Sequence, residues 1–273
     1  MSRILHLSDV HFGAVDDRLV APLIDLAHRL KPDLCVISGD LTQRARPGQF
    51  RAARAFVDRL PAPALIVPGN HDMPLRNLPL RLLAPFAAYR RAFGPKLEPL
   101  AHLSDAVVQG VNTANPFAWK SGLLRRRSLQ RLTDSFAAAP PGLWRMVVMH
   151  HAPVPAADGT AADIADPVAV LAALAQAGAD IVLSGHTHMP HTGFAETAAG
   201  VLFLQVGTAI STRRKTDSND VALVTLEPGK VTVESWLASP GQPGLTPGPS
   251  QSYTRPGTAW QKLTKSERPQ PTH

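Results

Sequence analysis

Ile4-Leu5-His6-Leu7-Ser8-Asp9-Val10-His11 sets a pattern that the chain repeats four more times. An aliphatic run of four or five residues gives way, within a few positions, to carboxylates, amides and imidazoles. The runs at 34–38, 64–67, 146–149 and 181–184 lead into Gly39-Asp40, Gly69-Asn70-His71-Asp72, His150-His151 and Gly185-His186-Thr187-His188. Short apolar runs bounded by turn residues read as strands buried on both faces. Between them lie helical spacings, with Leu19, Leu23, Leu26 and Leu30 in one segment and Phe56 and Leu60 in the next. Pro32-Asp33 and Pro61-Ala62-Pro63 end those helices. Alternating strands and helices predict a layered α/β sheet. The ends of neighbouring strands then meet along one edge, where such sheets place ligands, so the five islands converge.

At 273 residues and 44% hydrophobic content the chain is long enough for one large α/β domain with a well-buried core. We expect that domain at 1–238. The Pro- and Arg-rich, helical stretch at 74–100 follows the Asn-His island directly and reads as an insertion overhanging the site as a cap. The Pro/Gly-rich segment 239–273 reads as an extended or partly disordered tail that buries little. No apolar stretch is long enough to span a bilayer, and Met1 leads almost directly into the first strand, which predicts a cytoplasmic protein. Cys35 lies within an apolar run and reads as a buried small hydrophobe. The net charge of +7 suits anionic partners. The clusters Arg90-Arg91 and Arg125-Arg126-Arg127 read equally as solvated surface, whereas Arg213-Arg214-Lys215 follows a strand and a Gly-Thr turn.

The residue types specify the chemistry. Asp9 and His11, two apart, point the same way if the strand continues through them, and His186 and His188 repeat the arrangement. Asp40 offers two oxygens and can bridge two cations, while Asn70 adds a neutral oxygen. Oxygen and imidazole donors of this kind fit two divalent or mixed-valence metal ions drawn from Mn, Fe, Zn or Co.

Asp9-x-His11, Gly39-Asp40, Gly69-Asn70-His71-Asp72, His150 and Gly185-His186-x-His188 together resemble the motif set of the calcineurin-like metallophosphoesterases, over roughly residues 3–226. Asp40-Leu41-Thr42-Gln43, Asn112-Thr113-Ala114 and Gly207 to Arg213 are similar to bacterial members grouped with cyclic-nucleotide phosphodiesterases. The resemblance implies a four-layer α/β/β/α sandwich with a dinuclear metal centre at strand-end loops. It implies that Asp9, His11, Asp40 and His188 hold one metal, that Asp40 as bridge, Asn70, His150 and His186 hold the other, and that His71 is the catalytic histidine. Asp72 either orients His71 or caps its turn. Arg213 and His151 are candidates for substrate contact, and Trp119 and Phe117 either cover part of the substrate or pack within the cap. His191 is a weaker site candidate, and His6 and His28 read as structural.

The implied reaction is in-line attack on a small anionic phosphodiester by a hydroxide held between the metals. A 3′,5′-cyclic nucleotide is the first substrate, and a phospholipid or lipid-linked diester, with membrane-surface contact through 74–100, is the alternative. Nuclease, phosphomonoesterase and non-catalytic scaffold readings stand behind these. No stable nucleic-acid partner is expected, and the sequence leaves the oligomeric state open.

Overall fold

The computed structural model describes residues 1–239, 242 and 244–263. Two sheets pack face to face. The first has a parallel heart of β1 (Arg3–Leu7), β2 (Leu34–Ser38) and β3 (Ala64–Val67). On the other side of β1 lies antiparallel β10 (Asn219–Glu227), followed outward by β11 (Lys230–Ala238), β12 (Thr246–Thr254) and β13 (Gln261–Leu263). The second sheet runs β4 (Leu100–His102), β5 (Ala106–Val111), β6 (Trp144–Met149), β7 (Ile181–Ser184), β9 (Leu202–Gln205) and β8 (His191–Gly193), with parallel pairing from β5 to β9.

Strand alternation divides the apolar residues between two environments. Ile4, Leu34, Val36, Met146, Val148 and Leu183 meet between the sheets. Leu5, Leu7, Cys35 and Ile37 face α1 (Asp17–Leu30) and α2 (Pro47–Val57), whereas Val107, Val147 and Met149 face α5 (Arg126–Ala137) and α6 (Pro167–Gln176). Helices therefore cover both outer faces, and the expected four-layer α/β/β/α sandwich is the fold. Local chemistry fixes the helix ends. The Asp16 carboxylate accepts from the Arg18 N–H at the start of α1, and Pro47 occupies the first turn of α2.

Two expectations change in the structure. The 74–100 stretch does not stand wholly over the site. Its second helix, α4 (Ala87–Phe93), joins the core against α2, with Tyr89 buried and its hydroxyl donating to the Ile66 carbonyl at 3.0 Å. Only its first part reaches the strand ends, where Leu75 lines the space beside Asn70 and His71, and α3 (Leu78–Leu83) follows it. The tail does not bury little either. Residues 246–254 and 261–263 extend the first sheet, and Trp260, 2% exposed, stacks on Trp144 with ring centroids 5.4 Å apart. Its indole N–H lies 3.1 Å from the carbonyls of Asp180 and Gly200, and Arg255 pairs with Asp180 while lying over both tryptophan rings. The prolines and glycines were compatible with an edge pair because edge strands tolerate missing donors. What the tail expectation says of residues 240, 241, 243 and 264–273 lies outside the described residues.

Because Trp260 ties the end of the first sheet to the second, Trp260→Ala is expected to cost about 3–5 kcal/mol of unfolding free energy. Urea unfolding followed by far-UV circular dichroism measures the change.

Candidate metal centre

The expected alternation through Asp9 and His11 does not occur, because β1 stops at Leu7. Asp9 and His11 instead have φ of 52° and 47°, Asp40 52°, and His186 and His188 71° and 58°, all in the left-handed region. Such conformations are costly for non-glycine residues and persist where the surroundings impose them. Here the loop after β1 is laced to the loop after β2. The N–H groups of Asp9, His11 and Phe12 donate to the carbonyls of Gly39, Asp40 and Leu41 at 3.1, 3.0 and 2.8 Å. Two glycines are needed for close approach. A Cβ at Gly69 would collide with the Asp40 carboxylate, and one at Gly185 with Ser8 and Asp9.

Both central carboxylates are buried, and each has one oxygen fixed by the protein. Asp9 Oδ2 accepts from Ser8 Oγ at 2.6 Å and the His186 N–H at 2.9 Å, and Asp40 Oδ1 from the His71 N–H at 2.8 Å. The other oxygens face imidazoles. Asp9 Oδ1 lies 3.0 Å from His188 Nε2 and 3.5 Å from His11 Nε2, and those two nitrogens are 3.2 Å apart. Asp40 Oδ2 is shared, lying 3.7 Å from His11 Nε2 and 3.4 Å from His150 Nε2. Asn70 Oδ1 is 3.2 Å from that same His150 nitrogen.

Carbonyl oxygens only accept, so they fix the imidazole tautomers. His150 Nδ1 donates to Ser38 O at 2.7 Å, His188 Nδ1 to Arg213 O at 2.7 Å and His71 Nδ1 to Gln43 O at 3.0 Å. Each therefore turns Nε2 towards the cluster. His186 is reversed. Its Nε2 lies 3.1 Å from Asp163 Oδ2, which leaves Nδ1 for the site. His151 packs behind the site rather than at its mouth. It is buried against the rings of His150 and His186, with Nδ1 2.8 Å from Thr113 Oγ1 and Nε2 without a hydrogen-bond partner.

Burial opposes ionisation of Asp9 and Asp40, but the surrounding histidines outweigh it and hold both carboxyls well below the usual range. Burial likewise opposes a charged His150, yet the Asp40 carboxylate raises it to about 9. Asp72 is pushed up to about 7 by burial and by the charge of Asp40. It accepts from the N–H groups of Leu41, Thr42 and Gly69, so it braces two loops and does not orient His71.

Arg213 stands at the mouth, with Nη1 3.0 Å from His71 Nε2. Sequence reasoning missed Gln43, Arg44, Lys120 and Asp163, which line the same space. Gln43 closes the quoted Asp40-Leu41-Thr42-Gln43 motif and Arg44 is its next residue, so both were within reach. Lys120 and Asp163 come from loops that carry no motif. His191, at an exposed strand edge, lies outside the cluster.

The residues fit a pair of cations. Asp9 Oδ1 and His11 Nδ1 are buried without hydrogen-bond partners among the described residues, and Nε2 atoms converge on carboxylate oxygens that no described lysine or arginine pairs with. Asp9, His11 and His188 form one group of candidate ligands, Asp9, Asp40 and His150 a second, and His150, His151 and His186 a third. Neighbouring groups share members, as a dinuclear centre requires.

This strand-end geometry on two packed sheets defines a dimetal phosphoesterase fold and site. The sequence profile of calcineurin-like phosphoesterases matches residues 2–190, and the chain belongs to that family. It is 28% identical to a cAMP/cGMP dual specificity phosphodiesterase of Mycobacterium tuberculosis over 208 residues, 68% of this chain and 61% of that protein. Over 80 residues, 25% of this chain and 29% of the other, it is 34% identical to a glycerophosphodiester phosphodiesterase of Enterobacter lignolyticus. The matched stretches thus span less than two thirds of these relatives. Among solved structures, a dimetal phosphatase from Danio rerio superposes with TM-score 0.63 at 14% identity, covering 86% of this chain and 95% of that one. Vacuolar protein sorting 29 of Cryptosporidium parvum gives 0.53 at 15%, covering 93% and 98%.

The Asp40 carboxylate raises the His150 pKa to about 9, so His150 would carry a proton at neutral pH in the metal-free protein and would lose it on serving as a ligand. Metal uptake at pH 7 should therefore release protons into weakly buffered solution, and apparent affinity should rise with pH up to about 9. His150→Gln should remove one proton from the release and weaken uptake. Calorimetry in buffers of different ionisation enthalpy counts the protons.

Proposed function

We propose that the protein is a metal-dependent phosphodiesterase acting on a small anionic phosphodiester, with a 3′,5′-cyclic nucleotide as the first candidate. The observation that carries this reading is the shared Asp40 oxygen between His11 and His150, with His71 and Arg213 beside it. Asp9, His11, Asp40 and His188 would hold one cation, and Asp40, Asn70, His150 and His186 the other. Two bound divalent cations would lower the pKa of a shared water and neutralise phosphoryl oxygens.

The remaining work falls to the protein's own side chains. Arg213 projects a guanidinium suited to a phosphoryl oxygen, and Lys120 adds positive charge to the lining of the same pocket. The Gln43 carbonyl fixes the His71 ring, so Nε2 is the atom that carries a proton to the departing oxygen. Burial lowers the His71 pKa, and Arg213 adds to that effect. An anionic phosphoryl group seated between the two brings negative charge to both and favours the proton on Nε2. A poor alkoxide leaving group gains most from such an acid. Names of the mycobacterial and enterobacterial relatives support the same reaction class. A lipid-linked diester is the second reading, favoured by Met73, Leu75 and Trp119 beside His71 at the pocket mouth.

Mn-reconstituted protein should hydrolyse bis-p-nitrophenyl phosphate in strong preference to p-nitrophenyl phosphate, and a monoester preference would overturn the assignment. His71→Ala should lower kcat by about 10²–10⁴-fold with metal content by mass spectrometry unchanged. Arg213→Ala should lower kcat/KM by about 10- to 100-fold, as expected on losing a charged hydrogen bond.

A further inference from the structure

Helix α3 is built inside out. Its one charged residue, Arg81, is buried, and its leucines face solvent. The Arg81 guanidinium donates to the carbonyls of Pro74, Asn115, Pro116 and Ala118 and lies 5.0 Å from the centre of the Trp119 ring. Those bonds clamp α3 to the 115–119 turn and turn its apolar side outwards. Leu78, Leu80, Leu82 and Leu83 are exposed, Leu83 by 86%, and so are Phe117, by 85%, and Trp119. Among the described residues, these six are most of the large apolar side chains left in solvent. Scattered exposure of this kind is ordinary, but a cluster held out by a buried arginine marks an interaction surface.

Charge decides the partner. Residues 73–97 hold Arg76, Arg81, Arg90, Arg91 and Lys96 and no Asp or Glu. Residues 113–133 hold Lys120, Arg125, Arg126, Arg127 and Arg131 and again no acid. A groove of about 780 Å³ runs between the two segments, with Phe86 and Phe117 beside Arg90, Lys96 and Arg125. Its single acid, Glu98, is already paired with Arg131. A second copy of the chain would bring the same positive charge to the contact. A nucleic acid would use the cations and leave the leucines in water. Exposed leucine, phenylalanine and tryptophan on segments that carry arginine and lysine and no acid match the boundary between anionic headgroups and acyl chains.

We propose that α3, Phe117 and Trp119 form the surface by which the protein docks on an anionic phospholipid bilayer. The surface adjoins the metal centre, because the Trp119 carbonyl lies 3.4 Å from Asn70 Nδ2. Docking therefore sets the pocket mouth at the headgroup layer. It is independent of the proposed reaction and is read without turnover.

The test is co-sedimentation of the full-length protein with vesicles of phosphatidylcholine alone or mixed with phosphatidylglycerol. The protein should partition onto the mixed vesicles at least about tenfold more strongly than onto phosphatidylcholine, an effect that added salt diminishes. Leu82→Glu/Leu83→Glu should abolish that binding while leaving the melting temperature and bis-p-nitrophenyl phosphate turnover unchanged, and Phe117→Glu should abolish it with the melting temperature unchanged. Brominated lipid should quench tryptophan fluorescence in the wild type and not in Trp119→Phe. Absence of binding to the mixed vesicles, or equal binding by both leucine and Phe117 variants, overturns the proposal. So does light scattering that shows a dimer dissolved by the same substitutions.

Discussion

Asp9 and Asp40 sit just past the ends of adjacent parallel strands, out of contact with water, and among the described residues no lysine or arginine pairs with them. A buried carboxylate is tolerated only with compensating charge or donors. Much of the architecture around the strand ends answers that demand. Backbone N–H groups and Ser8 satisfy one oxygen of each carboxylate, and imidazoles surround the other. Five of the clustered residues, Asp9, His11, Asp40, His186 and His188, have left-handed backbone. Asp72, bound to three backbone N–H groups, holds the loop carrying Asn70 and His71 against the loop carrying Asp40. Strain at the centre and rigidity around it are two sides of the same arrangement.

The layered fold was legible because strands buried on both faces must be apolar throughout, as in 34–38 and 146–149. The donor set was legible because Asp, Asn and His follow those strands within a few residues. The manner of convergence was not. Period-two alternation gives the right partners for Asp9 and His11 for the wrong reason, since a left-handed turn and not a continued strand brings them together. Asp163 was invisible because its contact with His186 spans two loops without a motif. Arg81 was unreadable for a different reason. The four carbonyls that hold it come from turns whose proximity only the folded chain creates.

The two kinds of comparison carry different weight. The family profile and the phosphodiesterase relatives bear on chemistry, whereas the structural neighbours, at 14 and 15% identity, speak to the sandwich alone. A fold of this kind hosts more than one function. The residues at its strand ends distinguish them, and here the Asp, Asn and His groups lie within reach of one another.

The strand order has a consequence for biosynthesis. β1, made first, finds its antiparallel partner β10 only after residue 219, and His188 is made 177 residues after His11. At about 5–20 residues per second, that interval lasts on the order of ten to thirty-five seconds on the ribosome. Throughout it Asp9 and His11 exist without the partners that complete their side of the cluster. The group formed by Asp9, His11 and His188 can therefore be completed only once residue 188 has been made.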